Sequence, residues 1–341
     1  MLPPTASLSI YNNFMINVSV IVPIYNVGKY IERCAESLLS QTMKSGIEFI
    51  FVDDAATDNS IDILKTVIAR HPERKDQVKL LTHPVNKGLP AARNTGMDAA
   101  EGEYIYHCDS DDYVEADMLR KMYMATLTRG ADIVWCDWYL SFPHKERYMV
   151  QPMRRTQFEA VRSMLDGTMK YNVWNKIVRK KLYTDNGIRF PEGHSMGEDM
   201  TMIRLMSRAV RGAYVHEAFY HYVKSDVAMS SGSLSDRALA DLKFNTDETI
   251  GYLKSVFGKG LTEGIALFKL NVKLPFLLTG SLKDYRRWQE WYPEADKYIW
   301  NNKRLSFRIK LLQQFAAWGI YPAIWIYFNV FQRFVYGVIY K

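Results

Sequence analysis

The sequence predicts an α/β fold built on a mostly parallel sheet, and three observations carry that reading. Short apolar runs at 18–24, 48–52, 78–81 and 104–108 alternate with segments of helical periodicity, the pattern of βαβ units. The runs are continuously apolar, as parallel strands buried on both faces are. Polar residues gather at their carboxyl ends as Tyr25-Asn26, Asp53-Asp54 and Asp109-Ser110-Asp111-Asp112. Ligands of an open α/β sheet bind at that edge, so these three strand ends form a site prediction.

The first strand is followed by Tyr30, Ile31, Cys34 and Leu38 on one helical face. After the second, Asp58-Asn59-Ser60 supplies a cap for a helix buried through Ile61, Leu64, Val67 and Ile68. Gly88 suits a tight turn from the third strand into a helix over 89–100. Beyond the fourth strand, 131–140 reads as a strand or strand pair. Helices are expected at 158–165, 173–182 and 198–209. Residues 235–293 read as helical, interrupted at Gly258-Lys259-Gly260.

With 341 residues, 48% of them hydrophobic, the chain can build a large core. Cys34, Cys108 and Cys136 show no metal-ligand spacing, and their odd number fits a reducing cytosol better than a disulfide framework. The net charge of +7 resides wholly in the tail after Asp296, in Lys297, Lys303, Arg304, Arg308, Lys310, Arg333 and Lys341. A neutral body with a basic, aromatic tail points to an anionic membrane surface and away from nucleic acid. The first fourteen residues have neither a positive n-region nor a small-residue cleavage site, so no signal peptide is expected.

Three aspartates in four positions at the end of a buried strand repel one another unless a cation sits among them. A divalent metal holding a diphosphate answers that; a helix cap accounts for one Asp, not three. No Gly-x-Gly-x-x-Gly follows the first strand and no Gly-Lys-Ser/Thr loop is present. Dinucleotide oxidoreductases and P-loop enzymes are therefore disfavoured. Tyr25 can stack on a base, Asp53 can accept from a base N–H, and Asp109 can accept from ribose hydroxyls, leaving Asp111 for the metal. Arg93 lies near a helix N-terminus among small residues, where a phosphate or base is favoured.

Val20-Ile21-Val22-Pro23-Ile24-Tyr25-Asn26 resembles the opening of family 2 glycosyltransferases of GT-A fold. The segment from Val52 to Ser60 resembles that family's VDDGSTDGS, with Ala55-Ala56 where Gly-Ser is usual. Asn86 to Gly96 resembles its NxGxxxARNxG, and Asp109-Ser110-Asp111-Asp112 its DxD site. The resemblance implies a Rossmann-like nucleotide-binding sheet with helices on both faces, extended here by a helical, aromatic-rich C-terminal region. It implies a nucleotide-diphospho-sugar donor and a divalent cation, Mn²⁺ or Mg²⁺. Base contacts fall to Tyr25, Asp53 and Arg93, a ribose contact to Asp109 and metal ligation to Asp111. Pro23, Asp54, Lys87 and Asp112 enter as secondary substrate contacts.

Transfer needs a base for the acceptor hydroxyl. Gly197-Glu198-Asp199 opens a helix, where acids also complement the dipole. The segment resembles the family's Glu-Asp acceptor motif, which implies Asp199 as the base and Glu198 as the residue that positions it or contacts the sugar. Trp174, in Trp174-Asn175-Lys176, is a candidate sugar platform or a core residue. His221, in Tyr220-His221-Tyr222, is a candidate third metal ligand or a structural strand residue. Lys224 and Ser230-Ser231-Gly232 stand where some relatives carry a lid.

These readings divide the chain into an N-terminal extension (1–14), a catalytic domain (15–232, with a donor half at 15–115 and an acceptor half at 116–232) and a helical region (233–341). The expected activity is inverting transfer to a hydroxyl of a glycan or lipid-linked acceptor in surface polysaccharide synthesis. The alternatives are a nucleotidyltransferase or a non-catalytic sugar-binding protein of the same fold. The tail, 303–341, is expected to hold the protein at the cytosolic face of the plasma membrane. Packing on the body, or an oligomer interface, is the other reading of it.

Overall fold

The computed structural model describes residues 16–224 and 234–330. Four parallel strands open the chain: β1 (Val18–Ile24), β2 (Ile47–Asp53), β3 (Val78–Thr82) and β4 (Tyr104–His107). Helices α1 (Ile31–Leu39), α2 (Ser60–Arg70) and α3 (Leu89–Ala99) connect them. Every residue of β1, β2 and β4 is buried, which is why these runs carry no polar alternation. Among the polar residues of these strands, Ser19 Oγ donates to Glu48 Oε1 at 2.5 Å.

The second half contains β5 (Tyr113–Val114), α4 (Met118–Arg129), β6 (Ile133–Phe142), β7 (Lys145–Met149), α5 (Gln157–Leu165), β8 (Lys176–Arg179), α6 (Lys180–Thr184), α7 (Thr201–Met206) and β9 (Gly212–Val223). The sheet runs β3-β2-β1-β4-β8-β6-β9-β5, with β7 on β6. Strand β8 is antiparallel to both β4 and β6. Strand direction therefore reverses beside β4, and the acidic quartet leaves the sheet at that reversal.

The helix expected at 173–182 is instead β8 followed by α6. Buried Ile177 and Val178 fit the slot between β4 and β6, and this tertiary pairing overrides the local periodicity. The helix expected at 198–209 begins as a 3-10 turn, Glu198–Met200, and continues as α7.

The C-terminal region comprises α8 (Asp236–Phe257), α9 (Thr262–Lys273), α10 (Leu282–Glu290), a 3-10 segment Pro293–Asn301, α11 (Phe307–Ala317) and α12 (Tyr321–Ile326). Ser235, Ser281 and Ser306 cap α8, α10 and α11 by accepting backbone N–H groups. These helices share a core with the catalytic sheet. One apolar cluster runs from Ile21, Ile105 and Trp135 through Phe190 and Met202 to Phe268, Trp288 and Ile324. The other face of the sheet is filled by a second cluster including Cys34, Leu64 and Met118 of α1, α2 and α4.

No helix among the described residues is long and apolar enough to cross a membrane. The described part of the tail leaves Phe307, Trp318, Trp325 and Ile326 exposed. Residues 1–14, the Ser230-Ser231-Gly232 segment and the tail beyond 330 lie outside the described residues.

Candidate active site

The first wall of the site is built by the loops after β1 and β2. Tyr25 is 47% exposed at the end of β1, a ring face free to stack. Asn26 takes φ +53° and its Oδ1 accepts the Thr57 N–H at 2.8 Å, tying the two loops together. Asp53 Oδ1 accepts the Ala56 N–H at 2.8 Å, closing a turn in which Ala55 is forced to φ +58°. Glycine adopts that conformation freely, whereas alanine is strained by its Cβ.

Asp54 does not reach toward a substrate. Its two oxygens accept the N–H groups of Lys87 and Gly88, each at 2.8 Å, and Oδ1 lies 2.6 Å from His83 Nδ1. Buried Asp54 thereby sets the Gly88 turn (φ +89°) that launches α3. Pro23 is likewise buried within β1, opposite Val52. Lys87 is exposed, and its ammonium has no partner among the described residues.

Arg93, on α3, is 1% exposed, so it lies beneath the site and does not face a base. Its Nη2 donates to Asp109 Oδ1 at 2.8 Å, Nη1 stands 4.0 Å from Asp199 Oδ1, and the guanidinium lies 5.2 Å from the Phe190 ring centroid. Burial opposes its charge, but Asp109, Glu198 and Asp199 together raise its pKa. One fixed cation thus joins the acidic quartet to the Glu-Asp pair. Neighbouring Asn94 clamps the acceptor side: its Nδ2 donates to Phe190 O and Glu192 Oε1, and its Oδ1 accepts the Phe190 N–H.

The quartet divides into different roles. Asp109 is partly exposed beside Arg93. Asp111 is exposed, and its carboxyl is pushed up to about 6 by the surrounding protein and by Asp109, with Arg33 opposing. Asp112 is buried: Tyr220 Oη donates to its Oδ2 at 2.5 Å and the Val223 N–H to its Oδ1 at 2.7 Å. It pins the end of β9 and presents no free oxygen to a sugar.

On the acceptor side, Gly197 (φ +86°) turns the chain into Glu198 and Asp199. The Val173 N–H donates to Asp199 Oδ1 at 3.1 Å. Burial raises the pKa of Asp199; Arg93 opposes and Asp109 adds to the rise. Burial, then Asp199, pushes Glu198 up to about 7. Trp174 is buried, stacked on Tyr220 at 4.2 Å and edge-on to Trp138, so its face is already occupied. Asn175 and Lys176 are buried too. Lys176 Nζ donates to Lys170 O, Asn172 O and Asn175 Oδ1, holding the strand entry that presents Val173 to Asp199.

His221 does not join Asp111. Its Nδ1 lies 2.7 Å from Glu146 and its Nε2 2.9 Å from Glu115, while Tyr113 and Tyr139 stack on its two sides. Both nitrogens are committed, and the residue locks β9 to β5 and to the β6–β7 hairpin.

The residues not anticipated lie on α8. Asp241 accepts from the Ser195 N–H and Oγ and lies 3.0 Å from His194 Nδ1, while Asn245 Nδ2 donates to Met196 O. They brace the loop leading into Glu198. In sequence, polar residues at i and i+4 read as a solvated stripe, and only their burial shows otherwise.

Among the described residues no group of three His, Cys, Asp or Glu is placed to hold a metal. The site still fits a hard divalent cation. Asp111 and Asp109 offer oxygen ligands, and such ions are commonly held by one or two carboxylates, with substrate phosphates and water completing the shell.

The sheet and its strand-end loops form a GT-A fold, with the acidic quartet joined to the Glu-Asp pair through Arg93. The chain belongs to glycosyl transferase family 2, whose family model matches residues 19–191. It is 30% identical over 311 residues to glycosyltransferase GlyG of Streptococcus pneumoniae, covering 86% of this chain and 95% of that one. The fold is similar to the crystal structure of S. aureus TarS 1-349 in complex with UDP-GlcNAc (TM-score 0.66, 21% identity, 92% and 91% of the two chains). It is also similar to mannosyltransferase PcManGT from Pyrobaculum calidifontis in complex with GDP-Man and Mn2+ (TM-score 0.53, 16% identity, 90% and 86%).

Proposed function

We propose that this glycosyltransferase moves a sugar from a nucleotide-diphospho-sugar to a hydroxyl of a glycan or lipid-linked saccharide, inverting the anomeric carbon. The observation that carries the reading is Arg93, buried between a donor-side carboxylate, Asp109, and the acceptor-side Asp199. Tyr25 stacks on the base, Asp53 accepts from it, and Asp109 holds the ribose. A divalent cation at Asp111, Mn²⁺ or Mg²⁺, would supply neutralisation of the charge on the departing diphosphate. TarS with UDP-GlcNAc and PcManGT with GDP-Man and Mn2+ support a donor and cation of this class.

Asp199 accepts the proton of the acceptor hydroxyl as its oxygen attacks from the face opposite the leaving group. Burial raises its pKa, which makes it a stronger proton acceptor than an exposed aspartate. A single displacement inverts the configuration through a transition state of oxocarbenium character. Glu198 lies beside the base and orients the acceptor.

Exposed Phe307, Trp318 and Trp325, with Lys303, Arg304, Arg308 and Lys310 alongside, support a tail that lies on the cytosolic membrane surface, where a surface-polysaccharide acceptor would be presented.

The test is Asp199→Asn, which keeps the shape and an oxygen for the Val173 N–H. Turnover should fall about 10²- to 10⁴-fold, the contribution of a general base, with donor affinity retained. Wild-type turnover in this variant removes Asp199 from the base role.

A further inference from the structure

Away from the cleft, the C-terminal helices enclose a cavity of about 460 Å³ between the end of α8, the start of α9 and the 3-10 segment Pro293–Asn301. Its wall carries four lysines, Lys254, Lys259, Lys269 and Lys297, and a single carboxylate, Glu294. That carboxylate is committed, since Lys269 Nζ stands 2.5 Å from its Oε1. Lys254, Lys259 and Lys297 are exposed and have no carboxylate partner among the described residues. The floor is apolar, with Ile265 and Ala266 buried, and Tyr298 gives one side a ring.

A solvated lysine face spreads its charges or interleaves them with acids. Here three ammonium groups without a carboxylate partner border one concavity, Lys297 Nζ lying 5.4 Å from the Tyr298 ring centroid, and like charges so placed favour an entering anion. The volume falls within the range of small-molecule sites, about 300–1,000 Å³, and exceeds what a bare anion fills. The apolar floor of Ile265 and Ala266 suits an uncharged body attached to it.

We propose that this cavity binds a phosphate or pyrophosphate group carried on a larger molecule. Its place in the fold gives the site a use. Lys254 follows Asn245 on α8 by nine residues, about 14 Å along the helix axis. A phosphate held there sits on the same rigid helix that braces the acceptor loop through Asp241 and Asn245. The proposal stands apart from the sugar-transfer reading, because none of these lysines touches the cleft residues.

The test compares the full chain with the triple variant Lys254→Ala/Lys259→Ala/Lys297→Ala. A control removes exposed lysines elsewhere, Lys65→Ala/Lys75→Ala/Lys181→Ala. Each protein is titrated calorimetrically with inorganic pyrophosphate in EDTA, and sedimented with vesicles of phosphatidylcholine alone or with added phosphatidic acid. The donor cleft is common to all three, so differences report on the cavity. Unchanged circular dichroism and melting temperature certify the fold.

The expected result is a loss of about tenfold or more in the triple variant alone, the scale of lost charge-assisted contacts, with wild-type affinity weakening as salt rises. Loss in both arms assigns the site to free as well as lipid-borne phosphate, and loss only on phosphatidic acid vesicles assigns it to lipid. Equal binding by wild type and triple variant in both arms overturns the proposal, as does an equal loss in the control.

Discussion

Asp241→Asn tests whether the C-terminal helices serve the reaction or merely complete the fold. The Asp241 carboxylate holds His194 Nδ1 and the N–H and Oγ of Ser195, each at 3.0 Å. The amide keeps one accepting oxygen and replaces the other with a donor facing groups that already donate. One to two hydrogen bonds to a charged acceptor are lost, about 2–4 kcal/mol in all. Helix α8 retains its apolar seat through Leu239, Ile250 and Leu253, so the loss falls mainly on the loop that leads into Glu198 and Asp199. If half of it appears as misplacement of the base, kcat drops about 5- to 30-fold. The donor KM stays within about twofold, because Tyr25, Asp53 and Asp109 sit on other strand ends. Initial rates of nucleoside diphosphate release at varied donor concentration give both constants, and thermal melts on the same samples give the stability change. A lowered melting temperature with unchanged kcat would refute the reasoning, as would a donor KM that rises in step with the loss of kcat.

Three further outcomes are expected. In His221→Gln, stability falls by about 1–3 kcal/mol as Glu115 and Glu146 lose a shared partner, while the metal concentration for half-maximal activity stays put; a shift in that concentration returns His221 to the metal. Ala55→Gly relieves a left-handed alanine, a gain of about 1–2 kcal/mol, less about 0.4–1 kcal/mol for the freer unfolded chain, so the denaturation midpoint rises; a lower midpoint contradicts the strain. Activity falls as pH drops through about 7, where Glu198 takes up a proton; protonation of Asp199, its pKa also raised by burial, adds to the fall. Stability runs the other way: with its folded pKa raised from 4.5 to about 7, Glu198 adds stability that is fully present below 4.5 and is lost as pH rises through about 7. An activity profile flat across that range sinks the assignment, and Glu198→Gln should flatten the stability trend.

The donor half was legible in sequence because its strands are buried on both faces and its polar residues stand at strand ends, where pattern and position coincide. Gly88 falls where a βαβ reading puts a turn and Asp109 at a strand end, whereas α2 starts at Ser60 without a side-chain cap. The acceptor half resisted for a physical reason. Strand β8 is four residues long and is decided by its neighbours β4 and β6, not by its own periodicity. Asp54, Asp112, Trp174 and His221 carry functional chemistries, yet each is consumed by contacts with residues distant in the chain. The small neighbours of Arg93 signal close packing, but not the depth to which its guanidinium is sunk.

Arg93 has a consequence for the coupling of the two carboxylate clusters. Because Asp109 raises, and Arg93 lowers, the proton affinity of Asp199, any change in charge around Asp109 is felt at Asp199, the proposed base. Thermodynamic reciprocity then applies: the factor by which a bound donor alters protonation of Asp199 is the factor by which that proton alters donor affinity. The two half-sites keep a common electrostatic account, so donor affinity and the protonation of Asp199 shift together.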